Sequence, residues 1–172
     1  MSAQARTQAG PPDQAIALTP DREIVIKRTL DAPRELVFAM WTDPRHLPHW
    51  YGPDGFTITI HEMDVRPGGV WRLTMHGPDG RDYYNNLVFD EIVPPERLVC
   101  RHVPGEGTEP VGHRTIVTFA ARGNQTDLTL RLVFDTNEAR DFAVRTYHAV
   151  EGGKQTTGRL ADYIATLPRS GR

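Results

Sequence analysis

The sequence predicts an α+β fold, with a curved antiparallel sheet wrapped around a long C-terminal helix. Three observations predict it. Between residues 56 and 134, apolar side chains recur at every second position, as on a sheet with one buried face. The runs are separated by short stretches rich in Gly, Pro, Asp and Asn, so consecutive strands pair antiparallel. From 137 to 167 the spacing changes to threes and fours, the period of one helix face.

Each element follows in order. Residues 1–20 are rich in Gln, Ala, Pro and Gly and poor in apolar groups. Such a segment cannot offset the entropy of ordering, which predicts a disordered arm. A single domain spans 21–168, and 169–172 form a tail. "REIVIKRTL" alternates β-branched and polar residues, with Ile24 and Ile26 on one face, and reads as a strand. In "DAPRELVFAMWTDP", Asp31 and Pro33 signal a helix start. Leu36, Val37, Met40 and Trp41 keep helical spacing, and Asp43-Pro44 ends the helix. "RHLPHWYGPDG" is a second short helix or turn. Six strands follow, carried by Phe56/Ile58/Ile60, Trp71/Leu73/Met75, Tyr83/Asn85/Leu87/Phe89, Leu98/Cys100/His102, Thr115/Val117/Phe119 and Leu128/Leu130/Leu132/Phe134. The last helix aligns Phe142, Thr146, Val150, Gly153, Thr157, Leu160, Ile164 and Leu167, and Pro168 closes it.

"AVEGGKQTTGRL", residues 149–160, superficially resembles a phosphate-binding loop. That motif needs a first Gly where His148 stands and a hydroxyl where Gln155 stands, after a strand. Helical periodicity runs through the segment instead. Gly152 and Gly153 therefore sit inside a helix, where each costs up to ~1 kcal/mol against Ala. Two readings stay open. The glycines either allow close helix-on-sheet packing or a kink, or Gly153 leaves room for a ligand.

Composition excludes several classes. The formal net charge is −2 over 172 residues with both signs interspersed, which argues against nucleic acid. No run approaches the ~20 apolar residues of a membrane helix, and the N-terminus lacks the apolar core of a secretory signal. The lone Cys100 excludes an intrachain disulfide and fits a cytoplasmic setting. His46 and His49 are split by Leu47-Pro48, so no metal site is supported. No cofactor motif and no Gly-x-Ser-x-Gly turn occurs. Cys100, alone on an apolar strand face, is expected to be inert.

The stretches "TLDAPRELVFAMWTDPRHLPHWYGP", "DVRPGGVWRLTMHGPDG", "EIVPPERLV" and "GGKQTTGRLADYI" resemble the START-like or SRPBCC superfamily, with its helix-grip, Bet v 1-like fold. Within it the chain is similar to the family named for the activator of Hsp90 ATPase. That resemblance implies a pocket between the long helix and the sheet. It places Trp71, Leu73, Met75, Phe89, Leu130, Phe142, Thr146 and Val150 near the pocket, and Trp41, Trp50, Tyr51 and Phe56 at its mouth. Relatives carry Gly-Trp where Gly152-Gly153 stands here, which implies a larger cavity beside Gly153. His102 shares a strand face with Cys100, and His102, His113 and His148 are candidates for a general base. Glu62, Arg72, Tyr84 and Arg101 could supply polar contacts.

Three functions compete. The first is binding of a small apolar or aromatic molecule. The second is a cyclase-, aromatase- or hydrolase-like enzyme using a pocket His. The third is a chaperone-associated stress-response module, ranked last because the eukaryotic activator's separate N-terminal domain has no counterpart in the sequence. An exposed edge strand could support a homodimer, though no residue pattern demands one.

Overall fold

The computed structural model describes residues 21–105 and 112–168. The arm expected at 1–20 and the tail at 169–172 lie outside the described residues. Strands β1 (Glu23–Leu30), β2 (Thr57–Met63), β3 (Val70–His76), β4 (Asp82–Val93), β5 (Arg97–His102), β6 (His113–Arg122) and β7 (Gln125–Phe134) form one antiparallel sheet in the order β1-β7-β6-β5-β4-β3-β2. Sequence neighbours pair, except that β1 closes against β7. Helix α1 (Arg34–Thr42) and a 3-10 turn (Leu47–His49) follow β1, and α2 (Asn137–Tyr147) and α3 (Ala149–Thr166) close the chain.

The period of two has its expected cause. Ile24, Ile26 and Leu30 of β1 are buried, whereas Val25 between them is exposed. Leu128, Leu130 and Phe134 of β7 do the same on the neighbouring strand. The register shifts between Ile60 and Glu62 and between Phe89 and Glu91. Such bulges bend a strand and increase its twist, which curves the sheet around its apolar face. The buried pair Arg131–Glu23, at 2.8 Å, ties β7 to β1.

Helix α1 starts without a side-chain cap. Pro33 is itself the N-cap, and its carbonyl accepts the Leu36 and Val37 amides at 3.0 and 3.2 Å. The N-cap position falls on Pro33, two residues after Asp31. The helix buries Val37, Phe38, Met40 and Trp41 against the sheet.

The C-terminal helix needs a correction. It is broken at His148, whose φ of 53° and ψ of 48° are left-handed, into α2 and an 18-residue α3. The break falls four residues before the glycine pair, so the glycines are not the kink. Thr136 caps α2, its hydroxyl accepting the Ala139 amide at 3.0 Å. On α3, Thr157, Leu160 and Ile164 are buried. A Cβ built on Gly153 would lie 2.9 Å from Ile26 Cγ1. Gly153 is therefore a close-packing residue, and the room for a ligand expected beside it is filled by β1. Arg28 Nε adds a hydrogen bond to Thr157 Oγ1 at 3.2 Å across the same contact.

Candidate functional site

Because α3 lies close on β1, the open space is at the other end of the sheet. A cavity of about 1040 Å³ lies under α2 and the α2–α3 junction. Its floor is the inner face of β3–β7, with Met75, Tyr83, Asn85, His102, His113 and Leu132. Ala143, Thr146 and Tyr147 line it from α2. Pro53 and Phe56 line it from the loop before β2. That loop is fastened to α3 by Arg159, whose Nη1 donates to the carbonyls of Gly52, Pro53 and Phe56 at 2.9, 2.9 and 3.2 Å. The turn itself needs Gly52, at φ 110°.

Aromatic rings line one side. Phe56 meets Tyr83 at a centroid distance of 5.8 Å, and Tyr83 meets Tyr147 edge-on at 6.5 Å. Phe142 packs edge-on against Tyr147 at 5.7 Å, behind the wall. The other side carries polar groups. Strand pairing Arg101↔Arg114 brings the next residues, His102 and His113, face to face. Their ring centroids are 4.1 Å apart. Beyond His113 lies Phe134, at 5.0 Å.

The electrostatics of this pair follow from burial. Burial lowers the His102 pKa to about 4, the Nδ1 contact with the His113 carbonyl opposing the shift. Burial also holds His113 well below its ordinary range, and repulsion from the neighbouring imidazole adds to it. Both rings are neutral at pH 7, so each offers one N–H and one lone pair. His102 Nε2 lies 3.2 Å from Asn85 Oδ1, and Nδ1 lies 3.4 Å from the His113 carbonyl. A neutral imidazole in a cavity wall can accept a proton or orient a hydroxyl.

Of the residues expected at the site, the cavity gathers Phe56, Met75, His102 and Thr146. His113 and His148, weighed as bases, also line it, as do Tyr84 and Arg101 among the expected polar contacts. Trp41, Trp50, Trp71, Leu73, Phe89 and Leu130 lie in the core beneath, all buried. Trp41 and Trp50 pack edge-to-face at 4.9 Å, and Tyr51 meets Trp71 in the same way at 5.3 Å. Among the described residues the three indole N–H groups have no hydrogen-bond partner. Val150 packs on the core from α3 and Gly153 on Ile26. Glu62 and Arg72 pair with each other at 3.0 Å, away from the cavity. Cys100 is buried and its thiol is pushed up to about 12, which keeps it protonated.

Sequence reasoning missed Asn85 and Tyr147 as wall residues. Asn85 was visible as a polar residue on the face of Leu87 and Phe89. A row of hydrogen bonds, Asp82–His76–Thr59 at 2.8 Å each, has the order of a hydrolase triad. It lies on the outer face of β2–β4, outside the cavity, with His76 37% and Asp82 42% exposed. Among the described residues no group of three or more His, Cys, Asp or Glu is placed to hold a metal ion. No helix of the described residues is long and apolar enough to cross a membrane.

A single curved antiparallel sheet, closed by a C-terminal helix and enclosing a cavity at one end, defines the helix-grip class of α+β proteins. The chain belongs to the family described as activator of Hsp90 ATPase homolog 1-like protein, which matches residues 31–165. Solved structures agree on the fold. A protein of Nitrosomonas europaea superposes with a TM-score of 0.75 at 22% identity, covering 87% of this chain and 97% of that one. One from Arthrobacter aurescens gives 0.78 at 23%, covering 88% and 93%. The AHSA1 protein of Silicibacter pomeroyi gives 0.68 at 18%, covering 83% and 97%. Among curated proteins none matches the chain.

Proposed function

We propose that the protein binds a small apolar or aromatic molecule in the cavity under α2. The observation that carries this reading is the cavity of about 1040 Å³, walled by Phe56, Met75, Tyr83 and Leu132 with a few polar groups at one side. Apolar walls with convergent polar groups are the usual composition of a small-molecule site. Beside Gly153 the close approach of α3 to β1 leaves no comparable room. The test is native mass spectrometry of the protein purified from its own host, followed by gentle denaturation. A small molecule released on denaturation, and absent from a Thr146→Trp variant, is the expected result. A ligand retained equally by that variant would place binding elsewhere.

The side-by-side neutral imidazoles of His102 and His113 favour one second reading, an enzyme that uses a pocket His as general base. Turnover lost in His113→Ala on any substrate found by the first experiment would move the protein into that class.

A further inference from the structure

The polar side of the cavity holds one proton too few for its geometry. His102 lies between two oxygens, Asn85 Oδ1 at 3.2 Å and the His113 carbonyl at 3.4 Å. The Asn85 amide cannot relieve this by turning over, because its Nδ2 already donates to the Tyr83 carbonyl at 3.1 Å. A neutral ring has one N–H, so one of the two contacts sets lone pair against lone pair. A protonated ring would donate to both. The His113 ring, half-buried in the same wall, has no hydrogen-bond partner among the described residues. Burial disfavours the protonated ring, and a negative charge beside it would offset that cost.

The charges facing the pair come from every element around it. Arg101 of β5 is already paired with Asp90 at 2.9 Å. Arg22, just before β1, also lines the cavity and is not ion-paired among the described residues. Arg114 precedes Thr115 and follows His113 on β6, so it shares the opposite face of the sheet with its register partner Arg101. Arg22 Nη1 donates to the carbonyls of Phe134 and Asp135, at 3.3 and 3.1 Å, and to no carboxylate. Among the described residues, Asp135 and Asp79 are the acidic residues of the wall, and Asp79 Oδ1 accepts the Arg81 amide at 3.0 Å. His148 stands at the helix junction, and Tyr83, Tyr84 and Tyr147 also line the cavity. The Arg22 guanidinium, with no carboxylate partner among the described residues, favours an anion on this wall.

We infer that the ligand of this cavity is an apolar or aromatic carboxylic acid, whose carboxylate accepts a hydrogen bond from the His113 ring as the His102–His113 pair takes up one proton. This deepens the proposed function and rests on the cavity being the ligand site. The proton balance is simple. At pH 7 the free acid is a carboxylate and both rings are neutral. The complex holds carboxylate against imidazolium, so one proton enters from the buffer for each ligand bound. The new imidazolium supplies the N–H that the Asn85 and His113 oxygens lack, and the carboxylate supplies the counter-charge. A charge-assisted hydrogen bond in such a site is about twice as strong as a neutral one.

Isothermal titration calorimetry tests this with two probes of the same shape, 1-naphthoate and the uncharged 1-naphthamide. Each is titrated at pH 7 in phosphate and in Tris, whose ionisation enthalpies differ. Close to one proton taken up per naphthoate, none per naphthamide, and naphthoate binding tighter by about ten-fold is the expected result. His113→Phe should abolish the uptake and the preference while naphthamide still binds. Naphthoate binding with no proton uptake, or naphthamide binding equally well, overturns the inference and leaves the cavity reading intact. Binding of neither probe would count against the cavity reading itself, and this inference would fall with it.

Discussion

Two residues show how local contacts decide outcomes that composition does not. Gly153 looks like a helix defect, and Ala there should gain up to ~1 kcal/mol of helix propensity. The added Cβ would sit 2.9 Å from Ile26 Cγ1, however, and a buried β-branched side chain on a strand has little freedom to move. Overpacking of this kind costs about 1–3 kcal/mol, so the clash wins and Gly153→Ala should lower stability by about 1 kcal/mol in urea unfolding. His102 makes the second case through pH. Its pKa falls from 6.5 in an unfolded chain to about 4 in the fold. Between those values the unfolded chain binds the extra proton, so stability is intact above pH 6.5 and declines as pH falls. The loss should reach roughly 3 kcal/mol by pH 4. His113, shifted in the same direction, adds to it. Urea midpoints measured from pH 7 to pH 4 should fall, and His102→Gln should flatten part of the slope. A profile unchanged by that substitution would mean His102 is not held neutral.

At the scale of elements, the strands were legible because one face of the sheet is buried. Leu128, Leu130 and Phe134 could not be out of register without exposing the core. The break in the C-terminal helix was not legible. Phe142, Thr146, Val150 and Gly153 keep their three-and-four spacing across His148, because a single left-handed residue joins two helices whose apolar faces stay in phase. Nor does His advertise a left-handed position as Gly would. The conformation costs a non-glycine residue about 1 kcal/mol. His148→Gly should therefore raise the melting temperature by roughly 2–4 °C, whereas His148→Val should lower it. Equal melting temperatures for the two variants would argue that the junction is not left-handed in solution. The junction also separates α3, which packs on β1, from α2, which lines the cavity.

At the scale of the whole molecule, family and fold were legible in the sequence, and the position of the site only partly. Phe56, Met75, His102 and Thr146 line the cavity, and their place on the faces of core residues was readable from spacing. The tryptophans misled because aromatic character does not encode depth. Trp41 and Trp50 come from α1 and the 3-10 turn, which pack their rings on each other under the cavity. Asn85, His102 and His113 become one polar cluster only when β4, β5 and β6 pair in register. Spacing along the chain carries no trace of that register. The central claim is that the space under α2 is a ligand site. The most direct test is fluorescence titration of wild-type protein and Thr146→Trp with the uncharged apolar probe N-phenyl-1-naphthylamine. The account predicts a single saturable site in the wild type and loss of binding when the tryptophan fills the cavity. No saturable binding, or identical binding by both proteins, would contradict it.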